Sequence, residues 1–127
     1  MQKLTVKNFL TLKDISIDIP KINIVIGAQA EGKSILAKLV YFFKTFVQDF
    51  RNAIVFKETR REFDRRIIKK FSSIFPQYTW ENAQFEIEYT FNSHKIIVHP
   101  IRSKGSKSKL HIEYSGKIKQ AFEALKS

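Results

Sequence analysis

The sequence predicts an α/β fold built around a strand–loop–helix unit, with antiparallel strands before it and a β-meander late in the chain. Three observations predict this. The apolar run Lys21-Ile22-Asn23-Ile24-Val25-Ile26 flows directly into Gly27-Ala28-Gln29-Ala30-Glu31-Gly32-Lys33-Ser34 and then into a helix-patterned stretch. Period-two alternation of apolar and polar residues precedes that unit, and it returns from Gln84 onward.

Residues 1–26 read as two alternating strands followed by the strand that feeds the loop. Leu4 and Val6 alternate with Lys3, Thr5 and Lys7, and Ile15, Ile17 and Ile19 alternate with Asp14, Ser16 and Asp18 before Pro20 closes the run at a turn. The feeding strand is close to continuously apolar at Ile22, Ile24, Val25 and Ile26, as a strand covered on both faces should be.

Residues 27–34 form a complete G-x-x-x-x-G-K-S motif in strand–loop–helix context, the pattern of a phosphate-binding P-loop. A phosphate chain carries several negative charges, and backbone N–H groups at a helix N-terminus supply convergent donors plus the positive end of the helix dipole. Gly27 and Gly32 allow backbone angles that a Cβ would penalise. Lys33 is the cation for the β- and γ-phosphates, and the Ser34 hydroxyl is the Mg²⁺ ligand. The expected nucleotide contacts are Gly27, Ala28, Gln29, Ala30, Glu31, Gly32, Lys33, Ser34 and Ile35, with ATP and Mg²⁺ as the bound species.

Residues 35–75 read as helical. Leu36, Leu39, Val40, Phe43, Phe46, Val47 and Phe50 recur at three- and four-residue spacing, and a second periodic stretch, Phe63, Ile67, Phe71 and Phe75, ends at Pro76. Between them, Ala53-Ile54-Val55-Phe56 fits a helix interior, a kink or a short turn. Residues 84–114 read as a meander. Phe85, Ile87, Tyr89 and Phe91 alternate with Glu86, Glu88 and Thr90, then Asn92-Ser93 makes a tight turn, His94 to Arg102 returns, a polar loop follows at 103–108, and Leu110, Ile112 and Tyr114 form a third strand. Residues 116–127 close with a short helix pattern in Ile118, Ala121, Phe122 and Leu125. No internal repeat or domain boundary is visible, so residues 1–127 are read as a single lobe.

Lys7-Asn8-Phe9, Leu12-Lys13-Asp14-Ile15, and the strand and loop that follow resemble the amino-terminal lobe of ABC-type P-loop ATPases of the RecF-like, SMC-like and OLD-like branch. Ala28, Gln29, Ala30 and Glu31 depart from the Pro, Asn, Gly and Ser usual there. With Leu36-Ala37-Lys38-Leu39 and Tyr41-Phe42-Phe43, this loop is similar to a group of bacterial AAA-type stand-alone ATPases, some associated with defence systems. The resemblance covers residues 1 to 45 and implies a P-loop NTPase core, with the antiparallel strands belonging to the ATP-binding lobe.

The missing parts bound the function. None of the 12 acidic residues follows a run of four apolar residues, so no second Mg²⁺-holding acid or water-polarising Glu is visible. With only four glycines and no Gly-Gly pair, the ABC signature is absent too. The chain therefore reads as the incomplete front part of a longer ATPase, or as a small protein that finds its acids on a partner lobe or in a dimer. In either case it is expected to hydrolyse ATP poorly alone. Two alternatives stay open: a small P-loop kinase, and a non-hydrolysing nucleotide-gated interaction module.

Twenty-three basic residues against 12 acidic ones give +11, which invites a DNA or RNA partner. Arg60, Arg61, Arg65, Arg66, Lys69 and Lys70 cluster on the second helix, and Lys104, Lys107 and Lys109 cluster late. Glu58-Arg61, Glu62-Arg65 and Glu62-Arg66 have the spacing of ion pairs that would leave a merely solvated face. The phenylalanines match core spacing, and Trp80 beside Tyr78 reads as a loop residue. His94, His99 and His111 have no metal-ligand spacing. There is no Cys, no leader pattern and no long apolar run, so a cytoplasmic protein without a membrane segment is expected.

Overall fold

The computed structural model describes residues 2–19, 30–101 and 109–124, with side chains from Ser34 in the first helix and up to Phe122 in the last. Strands β1 (Gln2–Phe9) and β2 (Leu12–Asp18) form a hairpin. Helices α1 (Ala30–Val55) and α2 (Arg60–Ile74) follow, then a 3-10 turn at Gln77–Thr79. Strands β3 (Glu86–Phe91), β4 (His94–Ile101) and β5 (Lys109–Tyr114) form the meander, and helix α3 (Gly116–Ala124) closes the chain. The predicted strand at 21–26 and the polar loop at 103–108 lie outside the described residues.

The strands before the loop and the late meander share one sheet. Its order is β2-β1-β3-β4-β5, joined by an antiparallel β1–β3 ladder, and every described ladder is antiparallel. Register aligns the apolar positions in rows across it: Ile17, Leu4, Tyr89, Ile96 and Tyr114 lie side by side, as do Ile15, Val6, Ile87, Val98 and Ile112. One face is thus a continuous apolar surface, while Lys3, Lys7, Asp14, Glu86 and Glu113 face outward and are exposed. The β3–β4 turn is made by Asn92 and Ser93, both at positive φ (46° and 69°), the left-handed pair that a two-residue hairpin of this twist requires.

The helices cover the apolar face through aromatic contacts. Phe43 of α1 stacks on Tyr89 at 4.7 Å, Phe46 meets Tyr114 at 6.1 Å, and Phe63 of α2 meets Phe122 of α3 at 5.3 Å. Phe9 sits among Phe71, Phe75 and Phe85 at 5.8, 5.0 and 4.8 Å. Each such pair adds about 0.5–1.5 kcal/mol to the burial of its rings. Asn8, at φ 54°, turns its side chain to donate to the Gln84 carbonyl at 2.8 Å, so the Asn-Phe pair pins the end of β1 to the segment entering β3.

The ambiguous Ala53–Phe56 segment is a helix end. Glu58 N–H donates to Ala53 O at 2.8 Å and Lys57 N–H to Ile54 O at 3.2 Å, with Lys57 at φ 55°: a Schellman closure with lysine where glycine is usual. Thr59 then caps α2, accepting from Glu62 N–H at 3.2 Å and donating its hydroxyl to the Glu62 carboxylate at 3.0 Å. Trp80, read as a loop residue, is 2% exposed and donates Nε1–H to the Phe75 carbonyl at 2.9 Å. The indole fills the space beyond the end of α2 and gives a donor to one of the carbonyls that a helix end leaves without an intrahelical partner.

Candidate nucleotide-binding site and charged faces

Helix α1 opens at Ala30, inside the eight-residue motif, so Gly32 and Lys33 lie in its first turn and Ser34 follows directly. The first four N–H groups of a helix have no partner within it, and the dipole places partial positive charge there. Ser34 is exposed and Ile35 half-buried, while Leu36 and Leu39 are buried and seat the helix against the core. Gly27, Ala28 and Gln29 lie outside the described residues, as do the side chains of Ala30, Glu31, Gly32 and Lys33. Leu36, Leu39, Phe43 and Phe46 therefore fix one face of α1 to the sheet, and Ser34 falls away from it toward solvent.

Asp49, Glu58, Asp64 and Glu88 are engaged elsewhere. Asp49 on α1 accepts from Lys70 Nζ at 3.0 Å and lies 3.8 Å from Arg66, while Glu58 lies 3.2 Å from Arg66. Glu88 pairs with Lys95 at 3.0 Å across the β3–β4 ladder. Asp64 accepts the Tyr114 hydroxyl and pairs with Arg60 at 3.7 Å. Burial raises the Asp64 carboxyl above its ordinary value, more than that hydroxyl and Arg60 lower it. Burial and the facing Asp64 push the Tyr114 hydroxyl far above the usual phenol range. Tyr89, pushed up to about 12 by burial, donates to Gln2 Oε1 at 2.9 Å. No acid lies at the carboxyl end of a parallel strand among the described residues.

The basic helix divides into two sets. Arg60, Arg66 and Lys70 are tied to Asp64, Glu58 and Asp49, and each also lies over a ring: Tyr114, Phe63 and Tyr41 at 5.2, 5.7 and 5.8 Å. Arg61, Arg65 and Lys69 are exposed and make no ion pair among the described residues. The expected Glu58-Arg61, Glu62-Arg65 and Glu62-Arg66 pairs are replaced. Glu62 turns back to the Thr59 cap, and Glu58, the residue before that cap, reaches Arg66 two turns along. Lys104 and Lys107 lie outside the described residues, and Lys109 is exposed.

The histidines correct the reading made from spacing alone. His99 of β4 stands directly opposite His111 of β5, and Glu113 follows on the same outer face two residues along. His99 Nε2 and His111 Nε2 lie 3.4 and 3.9 Å from the same Glu113 oxygen. Their donor atoms all fall within 4.8 Å of one another, a ligand set that strand pairing makes and linear spacing hides. His94, the first residue of β4, is apart from it, with its ring 5.2 Å from Phe91.

Among the described residues no helix is long and apolar enough to cross a membrane. No curated protein and no solved structure matches the chain significantly. The family model of the AAA ATPase domain matches residues 1–127, the whole of the sequence. With a G-x-x-x-x-G-K-S motif leading into α1 and a match over its full length, the chain belongs to the AAA ATPase domain family.

Proposed function

We propose that the chain binds Mg-ATP through residues 27–35, as the amino-terminal ATP-binding lobe of an ABC-type ATPase of the RecF-like, SMC-like and OLD-like branch. The observation that carries this reading is the start of α1 at Ala30, which sets Gly32-Lys33-Ser34 at the opening of a helix whose Leu36 and Leu39 are locked into the core. The free amides of that opening suit phosphate oxygens, and the exposed Ser34 suits a hard cation with oxygen ligands. Lys33 supplies the point charge for the β- and γ-phosphates, and Gly27 and Gly32 let the backbone approach them. Mg²⁺ bound with the nucleotide neutralises charge on the phosphates.

Hydrolysis in this reading needs acids from elsewhere, on a further ATPase lobe, a partner chain or a second copy. Asp49, Glu58, Asp64 and Glu88 are spent on cations or on a tyrosine hydroxyl. The role in DNA maintenance or defence rests on the resemblance and on the exposed trio Arg61, Arg65 and Lys69. The same trio keeps a second reading in view, a nucleotide-gated module that docks nucleic acid without turnover. A small P-loop kinase fits less well, because such enzymes alternate helices with parallel strands, whereas each described ladder here is antiparallel. Calorimetric titration with Mg-ATP, wild type against Lys33→Ala, tests the binding. Phosphate release in the same samples tests turnover.

A further inference from the structure

We propose that His99, His111 and Glu113 form a binding site for a first-row divalent transition-metal ion, with Zn²⁺ the fitting reference. The donor set is two imidazole nitrogens and one carboxylate oxygen, the three-ligand composition that binds zinc while leaving a fourth position for water. Magnesium and calcium, which prefer all-oxygen shells, do not suit it.

The geometry comes from the sheet. Antiparallel pairing places His99 and His111 directly opposite, with ring centroids 5.2 Å apart, and the two-residue period puts Glu113 beside them on the outer face. Both histidines present Nε2 to one Glu113 oxygen, at 3.4 and 3.9 Å. Ligand atoms around a tetrahedral ion with bonds of about 2.0–2.2 Å stand roughly 3.3–3.6 Å apart. Two of the separations here, 3.4 and 3.9 Å, are close to that spacing and all three donor atoms lie within 4.8 Å, so rotation of the side chains closes them on an ion.

A second observation concerns tautomer. His99 Nδ1 lies 3.4 Å from the Pro100 carbonyl. A proton on Nδ1 directed at that carbonyl leaves the Nε2 lone pair free for a metal, the outer-shell arrangement that orients metal-bound histidines. The neighbouring cations are largely compensated. In the open groove beside the cluster, Lys95 is held by Glu88 and Arg60 by Asp64, leaving Lys119 as the cation without an ion pair among the described residues.

Bound metal would cross-link β4 to β5, the last strand of the described sheet, and its consequence would be a tighter sheet edge. The site draws on no residue of the 27–35 motif, so it stands or falls apart from nucleotide binding.

The test is calorimetric titration of tag-free, chelator-treated protein with ZnCl2, paired with Co²⁺ absorption spectra. The wild type is expected to bind one equivalent saturably, to show the visible d–d bands of low-coordinate cobalt, and to unfold at a higher temperature with zinc than without. His99→Ala and His111→Ala each weaken binding by about tenfold or more, and Glu113→Gln weakens it while keeping the side-chain shape. His94→Ala leaves it unchanged. Absence of saturable binding and of cobalt bands in the wild type, or zinc affinity that survives the combined His99→Ala and His111→Ala change, overturns the proposal. Should a histidine variant fail to fold, Glu113→Gln and the wild-type cobalt spectrum decide it.

Discussion

Tyr114, at the end of the sheet, donates its hydroxyl to the carboxylate of Asp64 on α2, and this bond ties the basic helix to the last described strand. The pair lies at the margin of the aromatic core, with Arg60 over the Tyr114 ring and 3.7 Å from Asp64.

Because burial raises the Asp64 pKa in the folded state, that state holds more protons than the unfolded chain at pH values between 3.8 and the raised value. The cost of keeping Asp64 ionised is therefore absent below that window and fully present above it. Asp64→Asn keeps an acceptor for Tyr114 and removes the charge. Denaturant unfolding of both proteins at several pH values should show the wild type gaining on Asp64→Asn as the pH falls from 7 toward 4. A difference that is flat, or that moves the other way, would mean the carboxylate is not strained by burial.

Lys57 closes α1 at φ 55°, a conformation that costs a residue with a Cβ about 1–2 kcal/mol and glycine almost nothing. Lys57→Gly should stabilise the protein by about 1 kcal/mol, net of glycine's greater freedom in the unfolded chain. Urea midpoints measure it, and a loss of stability would show that the lysine chain contributes packing that outweighs the strain.

Phe63 touches Phe46, Phe50, Tyr114 and Phe122, joining α1, α2, α3 and the sheet. Phe63→Ala should cost about 3–5 kcal/mol. Phe56, at the exposed end of α1 and 79% accessible, should tolerate the same change with little effect. Thermal melts of the two variants check the contrast.

Only Arg61, Arg65 and Lys69 of the basic helix are unpaired among the described residues. If this face tracks a nucleic-acid backbone, replacing the three with alanine should lower DNA affinity and flatten its dependence on log salt by about 1 per cation. Arg60, Arg66 and Lys70 should matter less, since ion pairs already occupy them. Fluorescence anisotropy at several salt concentrations distinguishes the sets, and equal effects from both would show that the ion pairs do not withdraw Arg60, Arg66 and Lys70 from the nucleic acid.

The alternating strands were legible in the sequence because one face of the sheet is covered and the other is not, which writes a period of two into β1, β2, β3 and β5. The α2 stripe Phe63, Ile67, Phe71 was legible for the same reason at a helical period. The joining of β1 to β3 was not, since a ladder between residues 79 to 89 positions apart leaves no local trace. The end of α1 escaped because its left-handed residue is Lys57 and not glycine. The His99–His111–Glu113 cluster depends on the β4–β5 register, so only pairing those outer-face positions on a proposed hairpin would have found it. In the proposed nucleotide motif the residue types are plain in the sequence, and α1 begins at Ala30, within that motif.

Calorimetric titration of wild type and Lys33→Ala with Mg-ATP tests nucleotide binding through the 27–35 loop most directly, circular dichroism first establishing that both are folded. Saturable binding is expected in the wild type, with loss of that binding in Lys33→Ala, unchanged thermal stability without ligand, and little phosphate release from either. Equal affinity for Mg-ATP in the two proteins would contradict it.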